Sequence, residues 1–96
     1  MKAYAIVQER VDDQAMFDAY RKDVVATLPP FGGRFVVRGG AMTVLEGEAP
    51  YPRLVVIEFP SRSHAEGWYR SPEYQKLLPL RLNSSKGNFY IVDGAE

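Results

Sequence analysis

Arg53-Leu54-Val55-Val56-Ile57-Glu58-Phe59 is the segment that most narrows what this chain can become. Its β-branched content predicts a strand, and alternation then puts Val55, Ile57 and Phe59 on one face and Leu54 and Val56 on the other. Both faces are apolar, so both need cover. Such a strand belongs at the centre of a sheet, and a sheet built round it has no side made for water. Leu, Ile, Val and Phe make up about a quarter of the chain, above the range in which a sequence stays unfolded. The 96 residues read as a single domain over 1–96, near the lower limit for one core, so a surplus apolar face favours association.

The flanking segments set the order of elements. Ala3-Tyr4-Ala5-Ile6-Val7-Gln8 alternates as a strand, with Tyr4, Ile6 and Gln8 opposite Ala3, Ala5 and Val7. Asp12-Asp13 caps an amphipathic helix whose apolar side is Met16, Phe17, Tyr20, Val24 and Leu28. Pro29-Pro30 stops that helix, and Gly32-Gly33 turns the chain. Arg34–Arg38 and Met42–Glu46 read as one strand kinked at Gly39-Gly40. Across the Glu48–Pro52 turn, pairing Glu46 with Arg53 sets Leu45 opposite Leu54 and Thr43 opposite Val56. Ser61 or Ser63 caps a second helix, the latter as the capping box Ser63-His64-Ala65-Glu66. Ser71-Pro72-Glu73 starts a further helical piece that Pro79 limits. Asn83–Gly87 reads as a polar loop, and Asn88–Val92 as the last strand.

The order is βαββαβ, and at this size it predicts an α+β fold, the ferredoxin-like sandwich: a four-stranded antiparallel sheet with both helices on one side. Ala3, Ala5, Val7, Val55, Ile57, Phe59, Phe89 and Ile91 are expected under the helices. Tyr4, Ile6, Gln8, Val36, Leu54, Val56, Glu58, Tyr90 and Val92 are expected on the bare face. Covering four of its aliphatic residues is worth several kcal/mol at about 25 cal/mol per Å², against about 0–1 kcal/mol for a surface ion pair. A homodimer meeting through its sheet faces follows.

Gly32-Gly33-Arg34-Phe35, Val37-Arg38-Gly39-Gly40, Val44-Leu45-Glu46-Gly47, Val56-Ile57-Glu58-Phe59-Pro60-Ser61, Trp68-Tyr69 and Ser71-Pro72-Glu73-Tyr74-Gln75 together resemble the small bacterial proteins called domain of unknown function 1330. The resemblance runs over nearly the whole chain. It implies membership of the dimeric α/β-barrel superfamily, in which two ferredoxin-like subunits pair through their sheets, and it implies no settled reaction. Relatives in the superfamily include monooxygenases, isomerases and haem-binding enzymes.

Lys and Arg together number 12, as do Asp and Glu, and they are evenly spread: six basic and seven acidic residues up to Glu48, six and five beyond. No basic patch calls for nucleic acid. With no Cys and one His, thiolate chemistry and disulfides are excluded, no metal spacing occurs, and no cofactor is called for. No leader or membrane-spanning stretch is visible, and the chain reads as cytoplasmic.

Glu58, an acid near the end of an apolar strand, must be paired, hydrogen-bonded or protonated if buried. It reads as a general base or polar anchor with Arg38 or Arg34 gripping a substrate acid, or else as a structural ion pair. His64 reads as a second catalytic candidate, or as a residue of the helix start. Tyr4, Trp68, Tyr69 and Tyr90, with Gln8 and Arg38, form the candidate ligand-binding set, aromatic rings with polar tips that also serve as packing. The functional reading is a small-molecule-binding homodimer, extending to a cofactor-independent monooxygenase- or isomerase-like enzyme on a small oxygenated or aromatic metabolite. The alternative is a structural or regulatory dimer without ligand.

Overall fold

β1 (Ala3–Val11) sets the frame. Ala3, Ala5, Val7 and Glu9 are buried while the residues between them are half-exposed, so one side of the strand lies under helices. In the computed structural model, which describes residues 1–95, α1 (Gln14–Val24) follows. The Asp13 carboxylate accepts the Met16 amide at 3.1 Å and caps it. The helix is shorter than its apolar spacing predicts. Two single 3₁₀ turns, Val25–Thr27 and Pro29–Phe31, carry the chain onward. The Thr27 hydroxyl donates to the Val24 carbonyl at 2.6 Å, competing for a helical acceptor, and Pro29-Pro30 has no amides to continue the ladder.

β2 (Arg34–Arg38) and β3 (Arg53–Phe59) come next, then α2 (Arg62–Arg70), α3 (Pro72–Ser84) and β4 (Ser85–Asp93). The sheet is antiparallel in the order β2-β3-β1-β4, so the first and third strands are central. Ser61, not Ser63, caps α2 by accepting the His64 amide at 3.2 Å. Ser71 caps α3 with Pro72 in its first turn.

Three sequence expectations need correction. The kinked strand ends at Arg38, and Met42–Glu46 lies in an exposed connection. Arg38 stands opposite Val55. Continuing that register would set Ala41 against Pro52 and Thr43 against Pro50, and a proline supplies no ladder amide. Pro79 does not end its helix: α3 runs through it to Ser84. Pro79 is exposed, so water can satisfy the carbonyl it frees, while Tyr74 and Arg81 anchor the two ends in the core. The Asn83–Gly87 loop does not exist either. β4 starts directly at Ser85, and the Ser84 carbonyl takes the amides of Asp12 and Asp13 at 2.7 and 3.0 Å. Gly87 is required there, because a Cβ would run into the Gln8 carbonyl of the neighbouring strand.

The core lies between the helices and one sheet face. Trp68 is wholly buried, its indole N–H donating to the Thr27 hydroxyl at 2.9 Å and its rings 4.2 Å from Tyr74 and 5.4 Å from Phe59, centroid to centroid. All eight residues expected under the helices belong to this core or pack against it. The molecule is a slab 16 Å thick against 32 and 31 Å in its other dimensions, two layers deep. None of the described residues covers the second sheet face, where Val37, Tyr90 and Val92 are 37%, 49% and 48% exposed. No helix among the described residues is long and apolar enough to cross a membrane.

Candidate functional site

A bulge in β2 decides which charged groups share a space. Arg34 pairs with Glu58 and Phe35 with Ile57, but the next partner of β3 is Val37, opposite Val56. Val36 is the extra residue. Strict alternation would put Arg34 and Arg38 on one face; the bulge puts Arg34 on the bare face and turns Arg38 to the helix side. Glu58 and Arg38 therefore do not face one another.

Glu58 stands on the bare face with both oxygens occupied. Its Oε2 accepts the Arg34 Nε at 2.8 Å, and its Oε1 accepts the Lys2 Nζ at 3.3 Å. The Arg34 hydrogen bond, aided by Lys2 and opposed by partial desolvation, holds its carboxyl below the usual range. Tyr4 pairs with Glu58 across β1 and β3, Gln8 with Leu54, and Ile6 with Tyr90 of β4. These positions form one patch of half-exposed and exposed residues.

On the other side, α1, α3 and the sheet border a narrow recess with free space of about 20 Å³. Val7, Val24, Val55 and Ile57 give it apolar walls. Glu9 lines it, its side chain 4% exposed. Its Oε2 accepts the Arg53 Nε at 2.9 Å, while its Oε1 has no hydrogen-bond partner among the described residues. Burial pushes the Glu9 carboxyl up, against the opposing pull of Arg53. Gly39, at φ +72°, lies beside it in the left-handed region that favours glycine, with the Arg53 guanidinium packed over it.

The guanidiniums are braced rather than loose. Arg38 lies 4.3 Å over the Phe35 ring, Arg53 5.4 Å over Phe17 and Arg81 5.0 Å over Phe89. Arg38 also donates to the Arg21 carbonyl at 3.1 Å. Desolvation, with Arg21 and Arg53 nearby, lowers its proton affinity below that of a free arginine. Arg81 donates from Nε to the Tyr74 hydroxyl at 3.1 Å, and the Tyr74 and Tyr20 hydroxyls lie 3.0 Å apart. Burial pushes both phenols up, so they stay neutral donors at ordinary pH.

The remaining sequence candidates are scattered. His64 is exposed at the start of α2, its Nδ1 2.6 Å from the Ser61 hydroxyl. Trp68 is core, and Tyr69 borders a shallow surface hollow with Arg62, Glu66, Phe89 and Ile91. Only Arg38 of the candidate set lines the recess. Glu9, Arg21, Arg53 and Arg81 were not singled out from sequence. Glu9 had a signal: it continues the buried phase of Ala3, Ala5 and Val7.

Among solved structures, a protein of unknown function from Rhodopseudomonas palustris, RPA0582, matches with a TM-score of 0.78 at 16% identity, over 99% of this chain and 83% of that one. A dimeric ferredoxin-like protein of unknown function from Jannaschia sp. CCS1 matches at 0.69 and 14% identity, over 98% and 100%. SnoaB, a cofactor-independent oxygenase from Streptomyces nogalater, matches at 0.63 and 10% identity, over 99% and 94%. These likenesses show the ferredoxin-like fold. No curated protein matches the chain. One family model, described as a domain of unknown function (DUF1330), runs over residues 2–95, and the chain belongs to that family.

Proposed function

We propose that the chain acts as a homodimer that binds a small oxygenated or aromatic metabolite, each copy in its own helix-side recess, and that Glu9 exchanges a proton with it without a cofactor. The observation that carries this reading is Glu9 itself: a buried carboxyl with one paired and one unpartnered oxygen, lining an open recess. SnoaB, described as a cofactor-independent oxygenase, supports a reading in which protein side chains alone do the chemistry.

The bare face supplies the dimer. Val37, Val56, Ile6 and Tyr90 form one row across the four strands, and burying such a row against a second copy gains several kcal/mol at about 25 cal/mol per Å². In that dimer Tyr4, Gln8, Glu58 and Tyr90 lie between the sheets. There the Arg34 and Lys2 pairs with Glu58 fix the register rather than serve a reaction, which is the form a ligand-free structural dimer would also take.

Light scattering tests the assembly: wild type at micromolar concentration is expected at twice 10.8 kDa, and Val56→Arg as a folded monomer. A wild-type monomer overturns the dimer. A thermal-shift screen of metabolites tests the recess. Oxygenated or aromatic compounds are expected to stabilise wild type and not Arg38→Ala. Equal stabilisation of the two, or none from any compound, overturns the recess as the binding site.

A further inference from the structure

The two edges of the sheet are not protected alike. β2 is five residues long, bulged at Val36 and bounded by Arg34 and Arg38, which are the devices that keep an edge from recruiting another strand. β4 runs nine residues and pairs with β1 on one side only. Its charges, Lys86 and Asp93, stand towards its ends and leave Asn88-Phe89-Tyr90-Ile91-Val92 uncharged. The outer amides and carbonyls of that stretch are open to a strand of matching pattern.

The chain carries a segment of that kind. All of residues 39–52 join β2 to β3, where a hairpin needs about 2–5. Residues 39–50 are exposed throughout and add nothing to the core of their own chain. Within them Ala41-Met42-Thr43-Val44-Leu45 is apolar but for Thr43, with Met42 42%, Val44 50% and Leu45 88% exposed. Pro50 and Pro52 deny it a partner in its own sheet.

Resting on the homodimer proposed above, we propose that residues 41–46 of one copy add as a strand to the β4 edge of a second copy, antiparallel, and that the two copies exchange these segments. A chain's own segment leaves from the far edge of the sheet, three strand spacings from β4, about 14 Å, so the occupant is the second copy. Val44 opposite Phe89 and Met42 opposite Ile91 put both side chains into the open hollow beside Tyr69, Phe89 and Ile91, whose free space is about 400 Å³. Thr43 and Leu45 then continue the bare face beside Tyr90 and Asn88, joining this contact to the sheet-face one. Charge sets the direction: antiparallel, Glu46 and Glu48 come to Lys86, whereas a parallel strand would bring them towards Asp93.

The chain has no Cys, so single-cysteine variants report the contact without background. Leu45→Cys and Asn88→Cys, both at exposed positions, are mixed, re-equilibrated and oxidised, and the linked peptides are read by mass spectrometry. A disulfide from Leu45→Cys of one copy to Asn88→Cys of the other is expected, because opposed strand residues lie within the Cα reach of about 7 Å that a disulfide spans. Val44→Asp, at a position outside the core of its own chain, is expected to weaken dimerisation about tenfold or more in sedimentation while the chain stays folded by circular dichroism. No link to Asn88→Cys, with Val44→Asp as dimeric as wild type, overturns the exchange and leaves the sheet-face dimer standing. A link to Val92→Cys in its place overturns the antiparallel register. A wild-type chain that is monomeric at micromolar concentration overturns the exchange and the dimer together.

Discussion

Glu9 and Glu58 belong to adjacent, hydrogen-bonded strands, yet they are opposite solutions to the same problem. Glu58 keeps two exposed cations on its two oxygens, and the Arg34 and Lys2 hydrogen bonds hold its carboxyl below the usual range. Glu9 has one cation, one unpartnered oxygen and a carboxyl that burial pushes towards the neutral form. The difference is which face of the sheet each occupies. A face that meets solvent or a second sheet can recruit flexible partners, whereas a side chain under packed helices has only the neighbours the fold gives it. A satisfied acid orients; an unsatisfied one is available to something else.

The largest contrast between the faces is expected from packing. Ile57 is 3% exposed under the helices, and Ile57→Ala should cost about 2–5 kcal/mol in urea unfolding at fixed protein concentration. Val56, its neighbour on the other face, should chiefly weaken dimerisation when cut to alanine; equal losses of stability for both would abolish the distinction. A smaller contrast lies in two tyrosines. Tyr20→Phe removes the buried hydroxyl beside Tyr74 and should cost about 0.5–1.5 kcal/mol. Tyr90→Phe, on the bare face and 49% exposed, should move the urea midpoint hardly at all.

The smallest expected effects have opposite signs in pH. The pKa of Glu58 is lowered on folding, so its contribution is present above the unfolded carboxylate value and disappears as pH falls through the folded one. Glu9 is raised, so the folded state binds the extra proton and stability falls as pH rises from the unfolded value through the folded one. Urea midpoints between pH 3 and about 8 should therefore show Glu58→Gln flattening the loss on acidification and Glu9→Gln flattening the loss towards neutrality. Matching changes in the two variants would mean the carboxyls share one environment.

How far the chain could be read without coordinates follows the same division between faces. The apolar run of β3, the Ala-Ala-Val side of β1 and the Ser71-Pro72 cap each carry local, periodic signals, and they led to the strand order, the buried face and the fold. Site geometry depended on non-periodic events. One extra residue at Val36 moved Arg38 away from Arg34 and Glu58, and no composition signal marks a bulge in Arg-Phe-Val-Val-Arg. Helix α3 passing Pro79 brought Arg81 into the core, where helix propensity alone would have stopped the chain. Pro50 and Pro52, read as turn residues, also deny Met42–Glu46 a partner strand, which the glycine pair did not reveal. Stopping β1 at Gln8 hid Glu9 by one residue.

The recess, and not the uncovered sheet face, is the proposed place of the ligand. Arginine Nε–Hε NMR signals report this directly during titration with a compound that stabilises the wild type in the thermal-shift screen. Arg21 and Arg38 are expected to shift, with Arg53 and Arg81 following, while Arg34 beside Glu58 stays in place. Movement of Arg34 with the recess arginines unchanged would put the ligand on the other side of the sheet and contradict it.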